Sequence, residues 1–256
     1  MFRVDHKGKG SYDKVFKGVA LLKEEIDLAD IACVINTKEK PIEVYNSFKK
    51  MNASYVNFLI PDYTHDNFPF NKSETVMADW LIELFDIWVN DQGRYKIPMF
   101  LGLLNSLTRV SESSKNEATV LVIETNGEIE AIDSLKACGN GFTKTGLNIK
   151  TNSLEDIQKT TLGKLYFNDF TSKVCKQCEE CPIYEICKDG RLVHRYSKEK
   201  GFNNPSVYCN DLIKLIAHIQ NFFISCFPEL HKKENVEHIN PIDIICLLYT
   251  SPSPRD

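Results

Sequence analysis

Five cysteines between Cys175 and Cys209 are the residues of this chain best suited to chemistry. They stand in the segment CKQCEECPIYEICKDGRLVHRYSKEKGFNNPSVYC, at Cys175, Cys178, Cys181, Cys187 and Cys209. A C-x2-C spacing lets two thiolates on one tight turn reach the same metal ion or cluster. Two such steps in succession suit the corners of an iron–sulfur cubane. The five-residue gap to Cys187 and the long return to Cys209 fit a loop that encircles a cluster and comes back for its fourth ligand. Gly190, Gly201 and Pro205 supply tight backbone along that loop. Structural zinc also takes four thiolates, often from two C-x2-C knuckles, and here Cys187 and Cys209 each stand alone. Disulfides are the third use of such cysteines, and a reducing compartment disfavours them.

The elements that must carry this loop come from an ordinary globular composition. The 256 residues are 43% apolar and 11% aromatic, enough for a buried core and against bulk disorder. A net charge of −4 gives no electrostatic footprint for nucleic acid. No apolar run approaches membrane-spanning length, and the start, MFRVDHKGKGSYD, carries no secretory apolar core. A cytoplasmic location is therefore expected. Nine cysteines in such a protein point to metal or redox chemistry.

Periodicity predicts a helix over YDKVFKGVALLKEEID, capped by Ser11, with Val15, Phe16, Val19, Leu22 and Ile26 on one face. The β-branched run IACVIN follows and includes Cys33, expected in the core. A second helix from about Ile42 to Lys50 has Pro41 in its first turn, and YVNFLIP is a second strand. Such alternation predicts parallel strands. ETVMADWLIELFDIWVN is an amphipathic helix whose two tryptophans belong to the core. TVLVIE and EIEAID flank Asn126-Gly127, the signature of a two-residue hairpin turn. A short helix is expected near Asn152 to Gln158. A long one follows Asn210-Asp211 as its cap, with Cys226 buried on its apolar face.

The stretch Cys178-x2-Cys181-x5-Cys187, followed by HRYS, GFNNPSVYC and DL, resembles the SPASM domain of radical S-adenosylmethionine enzymes. More narrowly it is similar to the branch that modifies ribosomally made peptides, including cyclophane-forming maturases. There C-x2-C-x5-C-G-G-G runs into HRY and then GFDNPSVYCADL. The resemblance extends to RVDHKGKGSYD, FLIPDYTHD, DWLIELFDIW and IETNGEIEAIDSLK, and so reaches to about Asp211. It implies an α/β fold: the C-terminal part of a partial (β/α)6 barrel, then an α+β, cysteine-rich SPASM-type domain. The implied boundaries are 1–72 for the barrel part, 73–115 for a helical linker and 116–240 for the iron–sulfur domain.

The resemblance also implies that Cys178, Cys181, Cys187 and Cys209 ligate one auxiliary [4Fe–4S] cluster, with Cys175 an extra neighbour or substitute ligand. S-adenosylmethionine would be the second cofactor, in the full-length enzyme. Arg3, in the loop with Asp5, His6, Gly8 and Gly10, would lie at the open end of the barrel near cofactor or substrate. Asn36, at the end of a strand, is a ribose contact by the rule that function sits at the C-terminal ends of parallel strands. Asp62, just past the next strand end, is the carboxylate placed for proton management beside a peptide substrate. His194 is a further ligand or hydrogen-bond donor, and Arg195 and Tyr208 can tune the cluster through its sulfurs. Implied partners are a ribosomally made precursor peptide and a reductant such as flavodoxin or ferredoxin, with neither nucleic acid nor membrane.

The chain departs from the full pattern. The further cysteine found in many SPASM domains beyond Cys187 is Arg191, Asp133-Ser134 occupies the place of a cysteine after the hairpin, and CGGG reads CKDG. These departures weigh against a second auxiliary cluster. No C-x3-C-x2-C triad for the catalytic cluster is present. The 256 residues alone are expected to be inactive, as the back part of a longer enzyme. Residues 246–256, CLLYTSPSPRD, resemble translated sequencing adapter and are set aside. A non-catalytic peptide-binding or electron-transfer module, and a zinc-stapled domain, are the competing readings.

Overall fold

The computed structural model describes residues 4–27, 30–71, 73–108, 120–167, 174–229 and 237–250. Its contacts separate into two units, one of residues 1–61 and 76–104, the other of residues 62–75 and 105–256.

The first unit is built on a parallel pair. Helix α1 (Tyr12–Ile26) leads to strand β1 (Asp30–Val34), helix α2 (Pro41–Lys50) crosses over, and strand β2 (Tyr55–Leu59) pairs with β1 in the register Asp30↔Tyr55 to Val34↔Leu59. Parallel neighbours need such a crossover, and a helix is its usual form. Pro41 sits at the first turn of α2, where its missing N–H costs nothing. Val56 and Phe58 of β2 are buried, while β1 alternates between exposed and half-buried positions. Cys33 is accordingly half-buried rather than in the core, and burial of its thiol pushes the pKa up to about 11. The predicted apolar face of α1 is present but largely open: only Val19 is buried, and Val15, Phe16, Leu22 and Ile26 are exposed. Ser11 does precede α1, yet its side chain makes no capping bond.

Helix α3 (Val76–Asn90) packs on α2 inside this unit. Seven of its residues are buried, among them Trp80, Leu84 and Trp88. Each indole N–H, once buried, needs an acceptor. Trp80 Nε1 donates to the Glu39 carbonyl at 2.7 Å and Trp88 Nε1 to the Tyr95 carbonyl at 2.8 Å. Asp91, just past α3, accepts from Tyr45 Oη at 2.9 Å and from Lys49 Nζ at 2.7 Å, which ties α3 to α2. Helix α4 (Pro98–Thr108), not expected as a separate element, brings the fully buried Phe100 against Phe85 and Trp88.

The second unit holds a three-stranded antiparallel sheet, β3 (Val122–Ile123), β4 (Glu128–Glu130) and β5 (Lys144–Asn148), in sequence order. The β3–β4 turn has three residues rather than two: Gly127 N donates to Glu124 O and Glu124 N to Glu128 O. Gly127, at φ +86°, takes the left-handed bulge position that closes such a turn. After β4 comes a 3₁₀ helix (Asp133–Cys138). Its residues Leu135 and Cys138 bury with Ala131, Val193 and Tyr196 in one apolar cluster. Helix α5 (Leu154–Lys159) starts at a full capping box between Ser153 and Asp156, and α6 (Thr161–Phe167) follows.

Three single-turn helices carry the cysteine loop: α7 (Lys176–Glu179), α8 (Tyr184–Cys187) and α9 (Leu192–Arg195). Helix α10 (Cys209–Cys226) then begins two residues before the expected Asp211 cap, and Asp211 is buried in its first turn. The buried face runs through Ile213, Leu215, Ile216, Ala217, Ile219 and Ile224. Cys226, the last residue of the helix, is exposed rather than buried. Helix α11 (Pro241–Thr250) packs on α10 through Ile244, with Asn221 bonded to both the N–H and the C=O of Ile239. It contains residues 246–250; residues 251–256 lie outside the described part. Among the described residues no helix is long and apolar enough to cross a membrane.

Leu84 is fully buried in α3, so Leu84→Ala is expected to destabilise the first unit by about 2–5 kcal/mol. Leu84→Met, close in volume, should cost less than about 1.5 kcal/mol. Both tryptophans of the chain lie in α3, so urea unfolding followed by tryptophan fluorescence reads this unit directly.

Candidate metal centre

The cysteine loop is a chain of tight turns, each hinged on a cysteine carbonyl. Cys175 O, just before α7, accepts from Cys178 N at 2.8 Å and Glu179 N at 3.1 Å. Cys178 O accepts from Cys181 N, Cys181 O from Tyr184 N, and Cys187 O from Gly190 N. Satisfying the backbone locally in this way leaves the thiols to gather on the inside of the curve. Helix α8 stops where Lys188, Asp189 and Gly190 take φ of +50°, +56° and +70° in succession. Left-handed backbone is costly for Lys and Asp. Gly190 has a further reason to lack a side chain, since a Cβ there would lie 3.3 Å from Leu212 and 3.4 Å from Ser206.

The return limb is fastened by one amide. Asn204 Nδ2 lies within hydrogen-bond distance of Arg195 O at 2.9 Å, Ser197 Oγ at 3.1 Å and Gly201 O at 3.1 Å. Ser197 and Gly201 exchange both backbone bonds at 2.8 Å, and Val207 N donates to His194 O at 2.8 Å. These bonds deliver Cys209 to the start of α10. Gln177 Nε2 of α7 reaches to 4.0 Å from Cys209 Sγ, so the two ends of the loop meet.

A buried ion pair fixes the middle. Arg195 Nη1 lies 2.7 Å from Asp189 Oδ2, with side-chain exposures of only 6% and 9%. Arg195 Nε also donates to Phe202 O at 3.1 Å. The expected direct tuning of sulfurs by Arg195 therefore gives way to a bond with Asp189, although its charge favours the thiolate of Cys175. His194 is buried, 3.9 Å from Asp62 Oδ1 and with its ring 4.8 Å from that of the fully buried Tyr208. Tyr196 packs edge-on to Phe142.

The thiols form one electrostatic group. Burial pushes Cys187 and Cys209 up to about 12, and each is raised further by neighbouring cysteines. Burial also raises Cys181. Cys178 is held up by its hydrogen-bonded partner Cys175, which is itself held down by that bond. Among the described residues no three Cys, His, Asp or Glu side chains converge on the position of a single ion.

Other residues singled out from the sequence fall elsewhere. Arg3 lies outside the described residues. In its loop the N–H groups of Lys7 and Lys9 already donate to Asp5 Oδ1, at 2.9 and 3.0 Å, so the turn is filled by its own carboxylate. Asn36 follows β1 in the first unit. Its Oδ1 accepts from Lys38 N, while its buried Nδ2 has no protein partner. Asp62 is bound by Arg191 Nη1 at 2.5 Å. Sequence reading missed the Asp189–Arg195 and Asp62–Arg191 pairs and the Asn204 staple. The pairs join residues of unrelated spacing, and only an asparagine within a turn-rich stretch hinted at the last.

No protein-family model matches the chain. It is 25% identical over 242 residues to a cysteine-type anaerobic sulfatase-maturating enzyme of Clostridium perfringens, covering 89% of this chain and 62% of that protein. A serine-type anaerobic sulfatase-maturating enzyme of Bacteroides thetaiotaomicron is 23% identical over 277 residues, covering 95% and 63%. Among solved structures, native anSMEcpe with bound AdoMet and Cp18Cys peptide superposes with a TM-score of 0.70 at 21% identity, over 88% of this chain and 65% of that one. The chain thus shares the fold of this structure over most of its length, in keeping with the α/β class expected from its sequence. It spans less than two thirds of the length of these curated relatives.

Removing one partner of a buried ion pair leaves the other charge stranded. Arg195→Ala is therefore expected to destabilise the second unit by about 3–5 kcal/mol. The exposed pair Lys159–Asp156 is the control: Lys159→Ala should change stability by less than about 0.5 kcal/mol. Hydrogen exchange across residues 176–209 during denaturant titration checks both.

Proposed function

We propose that this chain is the later part of a radical S-adenosylmethionine enzyme that modifies a side chain in a ribosomally made peptide or protein segment. Cys178, Cys181, Cys187 and Cys209 would hold an auxiliary [4Fe–4S] cluster. The observation that carries this reading is the cysteine loop: successive turns hinged on cysteine carbonyls, closed on themselves by Gln177 and Asn204, around one electrostatically coupled group of thiols. The donor set fits the group, since iron–sulfur clusters are held by cysteine thiolates. Structural zinc also takes four thiolates, with Zn–S bonds of about 2.3 Å.

When bound, such a cluster supplies an electron reservoir or an ordering point beside the substrate. The rest falls to the chain's own residues. Asp189 and Arg195 hold the loop shut against water. The unpartnered Nδ2 of Asn36 is a donor that a bound ligand satisfies, and a ribose hydroxyl of S-adenosylmethionine suits its position past β1. Asp62 is gripped by the Arg191 guanidinium, which makes it a holder of geometry.

The catalytic cluster would be held by a C-x3-C-x2-C motif outside these residues. The open edge of β1 and the exposed apolar face of α1 suit further β/α units joined there. The named relatives mature sulfatases, and the neighbouring structure carries a peptide. A peptide segment is therefore the substrate class, with flavodoxin or ferredoxin as the electron source and the cytoplasm as the setting.

Anaerobic reconstitution with iron and sulfide tests the centre. The expected result is about four irons per chain and absorbance near 400 nm. Cys178→Ala, Cys181→Ala, Cys187→Ala and Cys209→Ala should each lose most of that absorbance, and Cys175→Ser should keep it. A colourless protein with one tightly bound zinc would contradict the proposal.

A further inference from the structure

Residues 62–75 follow β2 directly, and they belong by their contacts to the unit that holds the cysteine loop. The attachment is spread along the segment. Asp62 Oδ1 meets Arg191 Nη1 at 2.5 Å. His65 N donates to Tyr196 O at 2.9 Å, and its ring Nε2 lies 2.9 Å from Pro205 O. Asp66 Oδ2 accepts from Lys198 N at 3.0 Å. The Phe68 ring stands edge-on to Tyr208, 5.1 Å between centroids. Thr75 Oγ1 accepts from Lys214 Nζ at 2.9 Å. Within the segment, Asn67 Oδ1 accepts from Thr64 N at 2.7 Å, so residues 64–67 form one closed turn.

The partners from Arg191 to Tyr208 all lie on the stretch of chain between Cys187 and Cys209. Arg191 stands four residues after the first of these cysteines, and Tyr208 immediately precedes the second. Arg191 stands where many domains of the resembled pattern have a further cysteine; here its guanidinium grips a carboxylate. Anything that fixes Cys187 and Cys209 relative to one another fixes Arg191, Tyr196, Pro205 and Tyr208 as well, and through them the segment that follows the strand end.

We infer that Arg191 is a positioning residue: through Asp62 it couples the occupancy of the cysteine centre to the conformation of residues 62–68. Loading of the centre draws the return limb taut, and the Arg191–Asp62 pair transmits that order to the loop beyond β2. Loops after the C-terminal ends of parallel strands are where α/β folds bind ligands, so the centre would shape substrate access without touching substrate. This rests on the proposal that the thiols hold a cluster.

Hydrogen exchange of the whole chain, iron-free and reconstituted, tests the coupling. In the unaltered protein, loading is expected to slow exchange across residues 63–68 by about two- to fivefold, the factor an ion pair of this exposure commands. Arg191→Gln and Asp62→Asn should keep the 400 nm absorbance and lose that difference. The charge-swapped double variant, Asp62→Arg with Arg191→Asp, should regain it, which loss of packing alone would not allow. Unchanged exchange at 63–68 on loading, or a full loading effect in Arg191→Gln, overturns the inference. If no form of the protein takes up iron, the cluster reading fails. The clamp is then decided on iron-free protein: faster exchange at 63–68 in Arg191→Gln and Asp62→Asn supports it, and equal rates refute it.

Discussion

The buried pair of Asp189 and Arg195 is the interaction on which the cysteine-rich half depends. Residues 174–208 contain no helix longer than one turn and no extended strand, so regular structure cannot hold them. Something other than helix or sheet must set their path. Asp189 sits in a run of three left-handed residues, a conformation that needs compensation. Arg195 supplies it, and its Nε–H binds the Phe202 carbonyl. Both side chains are almost fully withdrawn from water, where an unpaired charge is prohibitive. The loop therefore either closes around this pair or does not form. The thiols are buried as a consequence, and that burial raises the pKa values of Cys187 and Cys209, with neighbouring cysteines adding to it.

Much of this was legible in the residues. Local patterns carried the elements: the parallel βαβ pair followed from two β-branched runs flanking a helix with Pro41 at its start, and the short helix expected near Asn152 to Gln158 is α5. The cysteine spacing pointed to one centre. Where expectation and structure part, a specific interaction decides. Leu215, Ile216 and Ile219 of the expected stripe are buried, while Cys226 is exposed because α10 ends there and no described residue covers its last turn on that side. The hairpin turn gained a residue because Gly127 serves as the bulge rather than the second turn position. The grouping of residues 62–75 with the second unit depends on pairs such as Asp62–Arg191, separated by more than a hundred positions, which no local pattern encodes.

The first unit is different in kind. Its core is well filled around Tyr45, Trp80, Leu84 and Phe100, and its buried polar groups are bonded to carbonyls or to Asp91. Yet one helix and one strand keep apolar surface exposed, at Phe16, Leu22, Ile26 and Val34. Surface of this kind is a normal partner for another layer of the same architecture. The same unit places the Asn36 side-chain amide, whose Nδ2 has no protein partner, past a strand end.

The claim that the thiols hold a cubane cluster is tested most directly by Mössbauer spectroscopy of the chain reconstituted with ⁵⁷Fe under anaerobic conditions. The account predicts a dominant diamagnetic doublet of delocalised mixed-valence iron, integrating to about four irons per chain and absent from the Cys187→Ala protein. A spectrum of isolated high-spin iron, or one that persists when Cys187 is removed, would contradict it.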